Sequence, residues 1–222
     1  MKCFVSWSGG KDCALACHRA MIGGHDVRCL FTMARADGRR SWTHRLRPGL
    51  LRAQARAMRV PLRLARATAE EYERTFVGAL RSLRDDGAEG GVFGDIDAPE
   101  SRQWVEAACA KAGIAPLFPL WGERQEELIG EFLHCGFEAL VVAARLGIFP
   151  AEWLGRRLDT ALRDEIVAWD ATGACGERGE YHTLLIAGPM FGGRHIETVE
   201  SRPRQTDGVL LLDVARWRLT GG

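Results

Sequence analysis

The first 120 residues alternate short apolar runs with amphipathic ones, and this alternation restricts the fold more than any other feature of the chain. Cys3–Trp7, Val27–Met33, Leu62–Ala65 and Gly91–Gly94 read as strands, and Asp12–Ile22, Pro48–Met58, Ala69–Asp86 and Pro99–Ala112 as helices. Val27–Met33 is nearly all apolar, as a parallel strand covered on both faces should be. Gly23-Gly24 supplies a helix stop, and Pro99 suits a first helical turn. The pattern predicts an α/β fold with a parallel sheet. Ligands of such folds sit outside the carboxyl ends of the strands, so the loops 8–12, 33–45, 66–69 and 94–98 are expected to converge.

The pattern changes near residue 120, where Pro116 and Pro119 interrupt regular structure. Beyond it come a helix over Glu123–His134, a strand over Phe137–Ala144, helical stretches at Ala151–Leu154 and Leu158–Trp169, and three strand-like runs, Tyr181–Ala187, Arg194–Ser201 and Gly208–Leu219. The reading is two domains, 1–120 and 121–222, the second a smaller α+β unit. The apolar residues Leu210–Leu212 suit pairing with a second subunit, making a homo-oligomer, as well as completion of a local sheet.

Between the first strand and first helix stands Ser8-Gly9-Gly10-Lys11-Asp12-Cys13. A helix N-terminus presents unpaired N–H groups and a partial positive charge, which attract anions. Gly9 and Gly10 let the backbone approach phosphate oxygens closely, Ser8 offers a hydroxyl, and Lys11 a point charge. Asp12 suits helix capping or an aquated Mg²⁺. The string is neither a P-loop nor the dinucleotide fingerprint Gly-x-Gly-x-x-Gly.

Charge is unevenly spread. Residues 1–66 hold 14 Lys or Arg against 3 acids, and the other 156 hold 16 against 26. The basic front suits a field that draws in anions, and equally a solvated helix face with Arg52, Arg56 and Arg59 opposite Leu51 and Met58. Without interleaved aromatics it does not establish RNA binding. The seven cysteines form no Cys-x-x-Cys pair, which argues against structural zinc or dithiol chemistry. With no apolar run of spanning length and no signal-peptide pattern, a cytoplasmic location without membrane partners is expected.

A second motif lies at 175–191, Cys-Gly-Glu-Arg-Gly-Glu-Tyr-His-Thr-Leu-Leu-Ile-Ala-Gly-Pro-Met-Phe. It places Glu177, Glu180 and His182 within six residues. In an extended segment Glu180 and His182 point to one side, a pair suited to proton transfer, to metal binding or simply to polar surface.

The loop at 8–13 resembles the pyrophosphate loop of the ATP pyrophosphatase (adenine nucleotide alpha hydrolase) superfamily, with Cys13 where that family has Ser. The run Gly176-Glu177 to Thr183, followed by Gly188-Pro189 and Phe191, is similar to the C-terminal signature of its diphthine–ammonia ligase branch. Gly94-Asp95-Ile96 with Arg102, Pro119-Leu120-Trp121, and the Leu-Gly pairs at 146–147 and 154–155 match in the same order. Ser41–His44 matches a segment shaping the nucleotide pocket more loosely, and 95–101 departs from the family continuation. The resemblance implies a HUP-like, Rossmann-like nucleotide domain and an AMP-forming ligase acting in diphthamide biosynthesis. ATP, Mg²⁺ and ammonia would be its small partners, and a protein acceptor, translation elongation factor two, the fourth. The implied nucleotide contacts are Ser8, Gly9, Gly10, Lys11, Asp12, Cys13, Thr32, His44, Gly94 and Asp95, with Asp12 and Asp95 toward the metal. Lys11, Glu177, Glu180 and His182 take the implied catalytic roles, proton handling falling to Glu180 or His182 and a substrate or ammonium contact to Glu177. A tRNA-modifying ATP pyrophosphatase and a non-catalytic ATP- or AMP-binding module remain as alternatives on the same loop.

Overall fold

The computed structural model describes residues 1–169 and 173–222. Five parallel strands lie in the order β3-β2-β1-β4-β5: β1 (Lys2–Ser6), β2 (Asp26–Arg35), β3 (Leu62–Ala67), β4 (Gly90–Val92) and β5 (Ala115–Leu117). Alternation along the strands sorts the two faces. Cys3, Val5, Leu30 and Val92 pack against α1 (Lys11–Ile22) and α2 (Pro48–Met58). Phe4, Cys29, Phe31 and Met33 pack against α3 (Tyr72–Asp85) and α4 (Pro99–Ala112). The Phe4 ring meets Phe31 and Phe93 edge-on at 6.1 and 5.9 Å, a geometry aromatic quadrupoles favour. The strand order reverses between β1 and β4, which puts the ligand crevice of an open α/β sheet at the ends of those two strands.

β5 was not foreseen, because Pro116 reads as an interruption. It occupies the sheet edge, where a missing N–H removes no ladder bond. The exposed Arg52, Arg56 and Arg59 do form the solvent face of α2 and its cap, opposite buried Leu51 and Met58.

The rest of the chain supplies α5 (Gln125–His134), β6 (Glu138–Arg145), α6 (Thr160–Ala168), β7 (Tyr181–Ala187), β8 (Arg194–Thr206) and β9 (Val209–Gly221). Its four antiparallel strands close on one another in the order β6-β7-β8-β9. Asp159 caps α6 by accepting from the Leu162 N–H at 2.8 Å. β8 and β9 form one long hairpin about Asp207-Gly208, whose φ angles of 48° and 74° make the two-residue turn that suits strand twist. Leu210 and Leu211 pair with Ala144 and Ala143 of β6, so they complete a local sheet.

The two sheets share one continuous core and are fastened by polar contacts. The Leu185 N–H of β7 donates to the Gly9 carbonyl at 2.9 Å. The Arg47 guanidinium forks onto the buried Asp213 carboxylate of β9 at 3.0 and 2.9 Å. Arg19 of α1 holds Glu123 at 2.5 and 2.8 Å and also Glu131 of α5. Among the described residues no helix is long and apolar enough to cross a membrane.

Candidate active site at the β1–β4 crevice

The glycine loop is shaped first by its neighbours. Gly9 has φ +86°, and a Cβ there would lie 2.7 Å from Leu51 Cδ2 and 2.9 Å from Gln54 Oε1. Gly10 starts α1, and its Cβ would lie 2.5 Å from His44 Nε2. Both positions thus need glycine to admit α2 and His44. Gln54, fully buried, holds the loop from below. Its Nε2 donates to the Gly9 and Leu185 carbonyls at 2.9 and 2.8 Å, and its Oε1 accepts from Trp7 Nε1 at 2.8 Å. The first helical N–H, on Lys11, is taken by Thr183 Oγ1 of β7 at 3.0 Å. Ser8 Oγ donates to Cys13 Sγ at 3.2 Å, and that thiol in turn donates to the Gly10 carbonyl. Cys13 therefore braces the loop from inside, and burial pushes its thiol up, toward the neutral form.

Lys11 is only 3 % exposed. Its ammonium donates to the Cys175 carbonyl and to Asp12 Oδ2 at 2.9 Å, and sits 4.8 Å from the centroid of the Tyr181 ring. Burial is the largest single influence and opposes the charge, but Asp12, by its charge and hydrogen bond, together with the neighbouring Tyr181 and Cys175, holds Lys11 above its ordinary range. The side chain expected on phosphate is engaged instead between α1 and the 174–181 segment.

That segment is anchored at several further points. Gln125 Oε1 accepts from the Cys175 N–H at 2.6 Å while its Nε2 reaches Asp97 at 2.6 Å. Tyr181 donates its hydroxyl to the Ala174 carbonyl at 2.7 Å. Glu177 Oε1 accepts from the Ile96 N–H at 2.9 Å, in the loop that follows β4. Burial first, then the nearby Asp12 and Asp95 charges, push the Glu177 carboxyl up to about 7. Asp95, which accepts from the Ser101 hydroxyl, is likewise raised by burial.

All four expected loops reach one cleft of about 630 Å³. Ser8, Asp12, Cys13, His44, Gly94, Asp95, Glu177 and His182 line it, at the end nearest the start of α1. Trp42, Tyr72, Phe76 and Trp104 form an aromatic wall in which Trp42 and Tyr72 lie 4.8 Å apart and Phe76 and Trp104 5.0 Å apart. Sequence reading missed this wall because Tyr72 and Phe76, four apart on a helix, look like ordinary core. It also missed Gln54 and Gln125, whose only signal is a polar side chain among apolar neighbours.

Five expected residues fall outside the lining, Gly10 among them as the residue that precedes α1. Lys11 is placed as described. Thr32 is buried and donates its hydroxyl to the Trp7 carbonyl. Gly9 underlies the loop. Glu180 does not share a strand face with His182, because it lies in the turn before β7, where its carboxylate accepts from the Arg178 N–H at 3.0 Å. His182 alone of that pair faces the cleft, its ring 4.4 Å from that of His44. Burial drives both imidazoles to the neutral form, His182 down to about 4.

Among the described residues no Lys or Arg lines the cleft, which carries Asp12, Glu73, Asp95 and Glu177 instead. An acidic lining beside the partial positive charge of a helix start suits an anion that arrives with a cation. Among the described residues no three His, Cys, Asp or Glu side chains are grouped to hold a metal by themselves. Mg²⁺ ordinarily takes one or two carboxylates and completes its shell with phosphate oxygens and water. Asp12 and Asp95 fit that requirement.

Comparison with known proteins agrees with this architecture over both halves. Residues 1–116 match the diphthamide synthase N-terminal domain and residues 124–216 the diphthamide synthase C-terminal domain. A diphthine–ammonia ligase of Rattus norvegicus is 27% identical over 240 residues, covering 96% of this chain and 89% of that protein. The diphthine–ammonia ligase of Homo sapiens is 33% identical over 106 residues, 46% of this chain and 40% of that one. A solved structure of a predicted subunit of tRNA methyltransferase from Methanocaldococcus jannaschii is similar at 16% identity, with a TM-score of 0.49, covering 85% of this chain and 98% of that chain. With both domain models matched in order along most of its length, the chain belongs to the diphthamide synthase family and is by class an ATP-dependent ligase.

Proposed function

We propose that the chain activates an acceptor carboxylate, of the diphthine type on a protein such as translation elongation factor two, and converts it to an amide with ammonia in the cytoplasm. A carboxylate oxygen attacks the α-phosphorus of ATP and the α–β bridge breaks, releasing pyrophosphate. Ammonia then attacks the acyl carbon, the acyl–oxygen bond breaks, AMP leaves with that oxygen, and one proton passes from nitrogen to a base. The observation that carries this reading is the single cleft joining the start of α1, an aromatic wall, and two titratable groups from the C-terminal motif.

Triphosphate fits against Ser8, the loop backbone and the start of α1, where oriented N–H groups oppose the charge that develops on phosphate. Adenine fits the aromatic wall by stacking. Mg²⁺, when bound at Asp12 and Asp95, neutralises part of the phosphate charge. Glu177 is the first candidate to take the proton from nitrogen, because a carboxyl held near 7 exchanges protons readily at neutral pH. His182, neutral and in the same cleft, is the second. Glu180 positions Glu177 by closing the 177–180 turn, and Lys11 positions Asp12 and the 174–181 segment. In this division residues 1–120 hold ATP and 121–222 receive the acceptor.

The test is release of AMP and pyrophosphate from ATP with Mg²⁺ and ammonium, with and without a diphthine-bearing elongation factor, beside Glu177→Gln. Release that requires the factor, with amide formation lost in Glu177→Gln while ATP still binds, supports the assignment. Release stimulated by tRNA and not by the factor overturns the acceptor. ATP binding with no release under any condition overturns the ligase chemistry.

A further inference from the structure

The basic front of the chain does not line the cleft, and part of it converges elsewhere. A smaller pocket of about 140 Å³ is lined by Arg35, Arg40, Arg45, Arg204, Asp207 and Asp213. The arginines come from three places: the end of β2, the loop that follows, and β8 of the other sheet. The loop between them is latched at its base, where Ser41 N–H donates to the Leu46 carbonyl at 2.8 Å and the Leu46 N–H to Ser41 Oγ at 3.0 Å.

Charges in this pocket do not balance. Asp213 is buried and already shared, 2.9 Å from Arg40 and forked by Arg47. Asp207 is exposed and only 3.3 Å from Arg45. Arg204 has no carboxylate within ion-pair distance among the described residues, and neither has Arg35, whose guanidinium lies 5.7 Å from the Trp42 ring centroid. Four guanidinium groups thus face two carboxylates, one of which also serves a fifth. Like charges gathered in this way repel unless an anion fills the space. The volume equals that of about four to five waters, enough for a phosphoryl group. Planar guanidinium forks match phosphate oxygens better than any other side chain.

We propose that this pocket is a second oxyanion site that binds the phosphoryl group of inorganic phosphate or pyrophosphate, separate from the cleft that receives ATP. The anion contacts do not depend on the ligase assignment, whereas reading pyrophosphate as a reaction product rests on it. Arg40 and Arg45 belong to the same latched loop that carries Trp42, Thr43 and His44 into the cleft. An anion held here therefore fixes a wall of the main site, and the two sites are coupled reciprocally.

The test is calorimetric titration of the full chain with inorganic phosphate and, separately, with pyrophosphate, the cleft being saturated with a non-hydrolysable ATP analogue. The variant is Arg204→Glu, an exposed β8 residue outside the cleft lining, whose melting temperature without phosphate should be no lower than that of the wild type, because the change relieves repulsion among the arginines. One equivalent of anion per chain is expected, weakened about tenfold or more in Arg204→Glu. Tighter binding of pyrophosphate identifies the reaction product as the occupant, and equal binding identifies a site for a single phosphoryl group. No binding at roughly millimolar anion, or equal binding by wild type and Arg204→Glu, overturns the proposal.

Discussion

His44 and His182 face each other across the mouth of the glycine loop, ring centroids 4.4 Å apart and planes inclined by 32°. His44 Nδ1 is buried without a hydrogen-bond partner among the described residues. Two imidazoles this close cannot both be charged cheaply, and burial adds to the penalty. The folded chain therefore binds fewer protons than the unfolded chain below the ordinary histidine value of 6.5, and acid favours unfolding. Stability should fall as pH drops from 6.5 toward the His182 value of about 4, by about 1.4 kcal/mol per pH unit for His182, with His44 acting in the same direction. Urea unfolding across that range should show a shallower pH dependence in His182→Asn than in the wild type. Equal slopes would sink the idea.

Glu177 acts in the opposite direction. Its folded value of about 7 lies above the ordinary 4.5, so its neutral form is favoured by the fold, and stability is lost as pH rises through that interval. Above the upper value the burden amounts to about 3 kcal/mol at most. Glu177→Gln keeps an acceptor for the Ile96 N–H and removes the burden. The variant should be more stable than wild type by about 1–3 kcal/mol at mildly alkaline pH and equal to it below 4.5, while losing amidation. Melting temperatures over that range check the sign. A variant less stable than wild type above neutrality would mean that Glu177 is held charged.

Gln54 is the polar centre of the joint between the two sheets. Gln54→Leu keeps the volume but strands Trp7 Nε1 and the Leu185 carbonyl in a dry interior. A stability loss of about 2–4 kcal/mol is expected, seen as a lower urea midpoint at unchanged slope. ATP affinity should fall as well, because the Gly9 carbonyl loses its tether. A midpoint within error of wild type would show that water replaces the amide.

These residues also show which parts of the molecule were legible in the chain. Val27–Met33 and Pro48–Met58 announce themselves, since their side chains answer to local rules of period and burial. The glycine loop was legible because its purpose is local, the start of one helix. Glu180 was misplaced because the alternation of a strand was extended one step too far, into a turn closed by its own carboxylate. Lys11 was misplaced for a different reason. Apart from neighbouring Asp12, its partners, the Cys175 carbonyl and Tyr181, lie more than 160 residues away, and no local pattern reports a contact of that range. The aromatic wall stayed hidden because periodicity cannot tell a ring that fills a core from one that borders a cleft.

Gly94 gives the most direct probe of how closely the crevice is built. It follows β4, and a Cβ on it would lie 2.9 Å from both the carbonyl carbon of Asp12 and the Cys13 nitrogen. Those are backbone atoms in the first turn of α1, so no side chain can swing away to make room. Gly94→Ala must push α1 from β4 and widen the angle at which the helix start meets the loop, by a few tenths of an ångström or more. The helix start is the proposed phosphate contact, and binding there depends on aligned N–H groups. A stability loss of about 1–3 kcal/mol is expected together with at least tenfold weaker ATP binding, measured by thermal unfolding and by calorimetry. Gly78→Ala serves as the control, since its Cβ meets nothing within 4 Å and its position in α3 favours alanine, so that variant should be unchanged or slightly stabilised. If Gly94→Ala bound ATP as tightly as the control, the triphosphate would have to be held away from the start of α1.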